Sequence, residues 1–502
     1  MTYNFNKEQF DETLKTNGAT VLFKKITTDT ITPILSALKL FNEFKDYHFL
    51  LESAQIDKKG QNSKSRFSVI GIDPDVVWKC ANGKSFINKN FVKNRDDFVL
   101  QKDEVLQNFR EFFLQANIDF SKLSYQGETL PAVCAGVFGY FGYDIINFIE
   151  KLPNIAKKDD IKIPDAIFMR PQILVIFDNF YDTALICAPV FQDTAKTYSK
   201  LIDKIENVEN ILKTNYTPQK IYSKNKFEFH SNYSEKEYCD VVEKCKKYII
   251  DGDVFQILPS QRFVSDFDKN IDPLAFYRSL RNLNPSPFLF FLKLDDFVLT
   301  GSSPEIMVSL KDKKVTIRPL AGTRKRGKNF EEDQKIATEL LQDEKEIAEH
   351  LMLIDLGRHD VGRVAKAGTV KTTEKMTIEY YSHVMHISSN VEGEIREGLD
   401  ALDALISGFP AGTVSGAPKI RAMEILNEIE KTKRGFYAGC VGYFASNGDM
   451  ETCITLRCAL IKDKKIYLQA GAGIVFDSDP KSEYQECINK VAALIKACEN
   501  IK

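Results

Sequence analysis

AVCAGVFGYFGYD, residues 132–144, and RPQILVIFD, residues 170–178, are short runs of Val, Ile, Phe, Tyr and Leu broken by Gly, Pro and Asp. Such runs read as strands, because β-branched and aromatic side chains suit a pleated, half-buried surface while the flanking residues turn the chain. YHFLLESA (47–54) and RFSVIGIDP (66–74) have the same form. Strands outnumber helices, and no strict strand-helix alternation connects them, so the expected class is α+β rather than a doubly wound parallel sheet.

From Thr194 to about Asn232 the composition shifts to Lys, Glu, Asn, Tyr and Ser, with a helical stretch from Leu201 to Leu212 followed by the turn-like NYTPQK. This places a boundary between an N-terminal domain, 1–215, and a second domain, 233–502. Beyond it the pattern predicts a helix from Ser234 to about Asp251, one long charged helix from Glu331 to about Gly357, and a closing helix from Pro480 to about Glu499. In the closing helix Asp479 is the expected N-cap, Pro480 suits the first turn, and Ile488, Val491, Ala492 and Ile495 form the expected apolar stripe.

The bulk properties exclude several function classes. At 502 residues, 43% hydrophobic and 27% charged, the chain has ample material for a large core and no mark of disorder. Lys+Arg 68 against Asp+Glu 70 leaves a net charge of -2, without the basic field that non-specific nucleic-acid binding needs. No apolar run approaches a membrane span and the start is polar and acidic, so a cytoplasmic protein is expected. The ten cysteines are scattered without zinc-ligand or redox spacing and read as buried reduced thiols.

Glu483 and Glu486 project from one face of the closing helix, and Glu346 and Glu349, beside His350, repeat the arrangement on the charged helix. Glutamates at this spacing are ordinarily a solvated face. If two such helices converge, their oxygen-only donors favour Mg²⁺ over Zn²⁺. Four of the six histidines fall between His350 and His386, and strand alternation in YYSHVMHISSN sets His383 and His386 on opposite faces. Gly412 to Lys419 does not match a nucleotide phosphate loop. In QAGAGIVFDSDP the backbone at Gly471-Ala472-Gly473 lies open to a carboxylate, and Arg457 would supply a forked donor.

Together GDVFQILPSQRF (252–263), GSSPEIMV (301–308), RPLAGTRKRG (318–327), KEIAEHLMLIDLGRHDVGRV (345–364), YSHVMHISSNVEGEI (381–395), FPAGTVSGAPKIRAMEIL (409–426), KRGFYAGCVGYF (433–444), METCITLR (450–457) and QAGAGIVFDSDPKSEYQE (469–486) resemble the chorismate-utilising enzyme family. That family includes the anthranilate, aminodeoxychorismate, isochorismate and salicylate synthases. The resemblance implies a large antiparallel β-sandwich core flanked by helices, with a smaller N-terminal regulatory domain. It implies Mg²⁺ held by Glu349 and Glu486, with Glu483 close by, and chorismate contacts from Gly322, Thr323, Tyr437, Arg457, Gly471, Ala472 and Gly473. It further implies Glu305 as the general acid for the departing C4 hydroxyl, His386 in the later proton and pyruvate loss, and Thr413 beside the ring.

Within the family, members that add water carry a lysine where this chain has Gln256, and members making 4-amino-4-deoxychorismate commonly carry a nucleophilic lysine where this chain has Ala321. Both positions favour the anthranilate reaction, with the aminodeoxychorismate synthase subunit and a non-catalytic chorismate- or tryptophan-binding subunit as alternatives. The N-terminal LLES, with Ser53, and Asn284 to Leu289, with Pro287, Phe288 and Leu289, resemble the two halves of a tryptophan feedback site. Gly439-Cys440-Val441-Gly442 lacks the nucleophile-elbow spacing of a glutaminase, so a separate glutamine amidotransferase chain is the expected partner.

Overall fold

Two long antiparallel strands, Phe67–Ala81 and Ala166–Asp178, organise the molecule. Their ladder breaks between Arg170 and Pro171, where Pro171 lies opposite Pro74. Neither proline has an N–H to give, so the paired strands bend there and their two ends enter different layers. The computed structural model describes residues 3–56, 62–64, 66–120, 123–125, 128–153, 157–191, 197–217, 227–381 and 384–501.

On one side of the bend the ladder continues through Thr20–Thr27 and Thr183–Val190, and through His48–Glu52, Phe288–Leu294, Phe297–Ser303, Cys458–Lys462, Lys465–Gly471 and Ser260–Asp266. On the other it runs through Gly136–Phe141, Cys440–Ala445, Met450–Ile454, Ile306–Lys311, Lys314–Ile317 and Val384–Glu394, which also pairs with Leu320–Lys325 and Lys371–Tyr380. All these ladders are antiparallel.

The inner faces pack on each other. Phe49 stacks on Phe138 at 4.6 Å and Tyr140 meets Phe297 edge-on at 5.8 Å, each pair joining one layer to the other. Burying a Phe of this kind contributes roughly 2–3 kcal/mol, so such pairs clamp the layers together. Gly139, between the two aromatics, is required by the backbone: a Cβ there would fall 2.0 Å from the Ile167 carbonyl oxygen. The outer face of the first layer is covered by the helices Pro33–Glu43, Tyr198–Lys213, Pro273–Leu283 and Pro480–Glu499. On the second, Phe109 of the helix Val105–Leu114 packs against Phe141, Phe168 and Phe444.

The expected α+β class with a large antiparallel sandwich core is what the chain forms. Strands from before residue 215 and after residue 233 share ladders, at Leu51↔Phe290 and Phe138↔Tyr443, so backbone pairing crosses the compositional boundary. The helix expected from Ser234 spans Glu235–Ile250 with Ser234 in a capping box, and the closing helix spans Pro480–Glu499 with Asp479 as its cap.

Two expectations are corrected. The single long charged helix is two helices, Phe330–Leu340 and Glu344–Gly362, because Asp343 turns out of the first and caps the second through the amides of Lys345 and Glu346. In the closing helix the buried stripe is Cys487, Val491, Leu494, Ala497 and Cys498, while Ala492 is exposed. Among the described residues no helix is long and apolar enough to cross a membrane.

Candidate active site

The two layers are also joined by two tight crossovers that lie side by side. Ser303-Pro304-Glu305 carries the chain from Phe297–Ser303 to Ile306–Lys311, and Thr455-Leu456-Arg457 carries it from Met450–Ile454 to Cys458–Lys462. They are hydrogen-bonded to each other: the Ile454 amide donates to the Glu305 carbonyl at 3.0 Å and the Ser302 amide to the Arg457 carbonyl at 3.1 Å. A carboxyl and a guanidinium are thereby fixed where the sandwich is pinched. Arg457 takes a left-handed backbone, φ 49, and its half-buried guanidinium interacts electrostatically with Tyr381 and Glu305.

Glu305 is buried, and loss of hydration pushes its carboxyl up to about 8 despite the opposing Thr413 hydroxyl, which donates to its Oε1 at 2.8 Å, and the charges of Arg457 and Lys490. At neutral pH it therefore holds a proton that it can give away. Thr413 reaches it from the short turn Gly412–Val414.

His386 comes from the strand Val384–Glu394, opposite Thr323 of Leu320–Lys325, and its Nδ1 lies 3.0 Å from the Thr323 hydroxyl. Burial, with Arg457 and Lys490 nearby, lowers its pKa to about 3, so the ring is neutral. Its Nε2 is buried without a hydrogen-bond partner among the described residues. A neutral imidazole with one open nitrogen is ready for a ligand group. Gly322, at φ 63, lets the strand turn beside it; a Cβ there would stand 3.0 Å from the Ile387 side chain and 3.2 Å from a Glu346 carboxylate oxygen.

The carboxylates converge from two helices. Burial raises the pKa of Glu349, the Gln256 amide, which donates to Oε1 at 2.8 Å, opposes this, and Glu346 and Glu486 raise it further. Glu483 is raised by burial and by Glu486, against a hydrogen bond from Ser478. Like charges that disturb one another in this way lie close together, and a divalent cation among them would relieve the repulsion. Lys490 pairs with Glu486 at 2.7 Å, and Arg324 with Glu346 at 2.7 Å. Among the described residues no three acidic or nitrogen and sulfur ligands are preassembled as a cage. The donor set fits a hard ion that keeps part of its coordination for water and ligand, rather than an enclosed structural metal.

Gly471, Ala472 and Gly473 close the site from the end of Lys465–Gly471. A Cβ on Gly473 would lie 2.9 Å from Gln256 Nε2, and one on Gly471 2.6 Å from the Pro259 carbonyl. Tyr437 is buried between the helix Lys419–Ile429 and Cys440–Ala445, with the Arg434 guanidinium 5.9 Å from its ring.

The geometry thus links Glu305 with Thr413, Arg457 and Lys490, His386 with Thr323, Arg457 and Lys490, and Glu349 with Gln256 and Glu486. Lys490 is a member the sequence reading missed. Its ammonium donates to the Gly471 carbonyl at 2.9 Å, pairs with Glu486, and acts on both Glu305 and His386. Its signal was its place one turn beyond Glu486. His350, singled out with its neighbours, is a packing residue, with Nε2 2.7 Å from the Ser389 hydroxyl. His383 lies outside the described residues.

Ser53, Pro287, Phe288 and Leu289 are brought together elsewhere, in a cavity of about 1000 Å³. Glu52 pairs with Leu289 in the sheet, and its carboxylate takes the Arg281 guanidinium at 2.8 Å and the Tyr277 hydroxyl at 2.7 Å. This tie fixes the Glu52 strand, and through its ladder the Leu289 strand, to one helix.

Residues 54–496 match the family model described as chorismate binding enzyme. The chain is 45% identical to anthranilate synthase component 1 of Cereibacter sphaeroides, over 98% of this chain and 97% of that protein, and 40% identical to that of Aquifex aeolicus, over 99% and 98%. The crystal structure of anthranilate synthase component I from Streptococcus pneumoniae superposes with TM-score 0.77 at 33% identity, covering 94% of this chain and 99% of that one. The menaquinone-specific isochorismate synthase MenF of Escherichia coli shares the fold, with TM-score 0.69 at 17% identity over 96% and 95%. With its fold, its motifs and its relatives in agreement over nearly the full length, the chain belongs to the chorismate binding enzyme family, among the anthranilate synthase component 1 proteins.

Proposed function

We propose that the chain is a lyase converting chorismate and ammonia to anthranilate, pyruvate and water, in the cytoplasm, with ammonia delivered by a glutamine amidotransferase chain. The observation that carries this reading is the placement of Glu305: a buried carboxyl, pushed toward its protonated form by loss of hydration, that takes the Thr413 hydroxyl at 2.8 Å near the Arg457 charge, while His386 has an Nε2 unpartnered among the described residues.

In the first stage a C2–N bond forms as the C4–O bond breaks. Glu305 gives its proton to the departing hydroxyl, which leaves as water, and Thr413 holds the carboxyl in place. The attacking nitrogen sheds a proton, which can restore Glu305. In the second stage the C2 proton is lost, the ring becomes aromatic, the C3–O bond breaks, and the enolpyruvyl group leaves and takes up a proton as pyruvate. His386, with its open Nε2, assists there. Arg457 and the exposed amides of Gly471 to Gly473 orient the substrate's carboxylates. Glu349 and Glu486 would hold Mg²⁺, whose chemistry is to neutralise carboxylate charge as the reaction proceeds.

Gln256 cannot deprotonate water, and Ala321, buried opposite Ile387, offers no amine to form a covalent adduct. Both support attack by ammonia itself. Purified chain with chorismate, Mg²⁺ and ammonium is expected to yield fluorescent anthranilate. Accumulation of a non-fluorescent amino product instead would transfer the assignment to aminodeoxychorismate synthesis, and tight chorismate binding with no turnover to a non-catalytic subunit. Ala321→Lys is expected to trap an adduct visible by mass or to stop ammonia-dependent turnover; undiminished anthranilate formation would refute the branch assignment.

The cavity containing Ser53, Pro287, Phe288 and Leu289 is proposed as the tryptophan feedback site. Its partly aromatic wall and its size accommodate an indole with room to spare. Calorimetric titration with tryptophan, repeated on Ser53→Trp to fill that end, tests it; equal binding by both proteins would exclude this location.

A further inference from the structure

Tyr381 stands between the proposed feedback cavity and the candidate catalytic residues, in a wall that also includes Pro304 and Ile306, the neighbours of Glu305. Tyr381 lines the cavity with Arg318, Glu374 and Glu379. Its hydroxyl donates to Glu379 Oε2 at 2.8 Å and lies 3.5 Å from the carbonyl oxygen of Pro304, the residue before Glu305. Its ring meets His386 edge-on, centroids 5.3 Å apart. Glu379 in turn pairs with Arg318 at 2.5 Å, and the same guanidinium reaches Glu374 at 3.2 Å. Backbone bonds fix Tyr381 at both ends, its amide to the Val384 carbonyl at 2.8 Å and its carbonyl to Arg326 at 2.6 Å.

We infer that Tyr381 is a positioning residue that sets His386 and the Glu305 turn, and is the element through which occupancy of the cavity alters catalysis. The regulatory half of this inference rests on the proposed feedback reading. A ligand filling the cavity meets the Arg318–Glu379 pair and the Tyr381 ring as one wall. Any shift of that wall moves the hydroxyl bonded to Glu379, the ring edge against His386, and the hydroxyl's 3.5 Å approach to the Pro304 carbonyl beside Glu305. Small displacements suffice, since misplacing a reacting group by about 1 Å can cost on the order of 100-fold in rate. Coupling requires that the ligand favour one arrangement of the wall over another.

Tyr381→Phe keeps the ring and removes the hydroxyl; Glu379→Ala removes the acceptor and leaves the tyrosine. With ammonium as nitrogen source, both variants are expected to lose about tenfold in kcat while KM for chorismate stays within about twofold, the signature of lost positioning rather than lost binding. Calorimetric tryptophan affinity is expected to stay within about threefold, while the fraction of activity surviving at saturating tryptophan rises several-fold, because binding no longer reaches the catalytic groups. Wild-type kcat with undiminished inhibition in both variants would overturn the inference, as would a kcat loss that merely follows a fall in thermal transition and in tryptophan binding. Should Tyr381→Phe fail to fold, Glu379→Ala decides alone. If the unsubstituted protein binds no tryptophan, the feedback reading falls, and the kcat and KM of the two variants still decide the positioning role.

Discussion

Glu305→Gln is expected to lower anthranilate formation by about 10²–10⁴-fold with little change in KM, the range that removal of a general acid produces. The substitution is close to isosteric with the protonated acid, and the amide oxygen can still accept from Thr413. Fold and substrate pocket should therefore survive while the transferable proton is gone. A second outcome separates this from simple damage. The folded carboxyl is held at about 8 against an ordinary 4.5, so between those values the folded protein keeps a proton that the unfolded chain has released. Stability is then greatest at low pH and declines as pH rises from 4.5 to 8, by an amount on the order of a few kcal/mol for a fully buried group. Glutamine does not titrate, so the inactive variant should be more thermostable than the parent at pH 8 and should lose less on going from pH 5 to pH 8. In the parent, kcat/KM compared at equal free ammonia should fall above about pH 8 as Glu305 ionises. Calorimetric scans at both pH values and a rate assay settle the matter; activity within tenfold of the parent would remove Glu305 from the acid role.

The residues now seen around Glu305 were legible in the sequence to different degrees. Glu305, His386 and Arg457 stand in short, fixed-spacing segments, and the fold carries each to the same pinch between layers. Lys490 was not legible as a site residue, because on a helix rich in Lys and Glu one more lysine at i+4 is ordinarily a surface ion pair. Pro74 and Pro171 misdirect a local reading. RFSVIGIDP reads as a strand that stops at its proline, yet the strand continues to Ala81, because the two prolines face each other at a shared bend. The break at Asp343 did have a signal, Asp343 followed by Glu346 in capping register, overridden by the continuous run of helix-forming residues around it. Alternation identifies which face of a strand is buried but not which strand it meets. The pairing of Leu51 with Phe290 and Phe138 with Tyr443, which builds the cavity wall and ties the two halves together, was therefore beyond what local pattern can supply.

Glu486→Gln is expected to abolish turnover at every Mg²⁺ concentration while leaving the fold intact. The fold should tolerate it because the side chain is 47% exposed and its contact with Lys490 is a surface i,i+4 pair, of a kind that contributes about 0.3–0.5 kcal/mol. The catalytic cost is larger for two reasons that act together. A divalent ion held in the proposed site by Glu349 and one neutral amide would lose half of that site's protein charge, and metal stabilisation of developing negative charge contributes several kcal/mol, or more than 100-fold in rate. Lys490 is also released from its carboxylate beside the Gly471 carbonyl, Glu305 and His386, and its unopposed charge would favour ionised Glu305, against the general-acid role. The two contributions can be told apart. Glu486→Asp keeps the charge on a shorter arm and should recover part of the activity with a raised Mg²⁺ requirement, whereas Lys490→Met removes the cation and should leave the Mg²⁺ requirement no higher than that of the parent. Direct titration of Mn²⁺, read by its relaxation effect on water, should show the site weakened by at least tenfold in Glu486→Gln and in Glu349→Gln alike, since in the proposed site each would supply one of the two charged ligands. A Glu486→Gln enzyme running near the parental rate at saturating Mg²⁺ would remove this carboxylate from the proposed metal site.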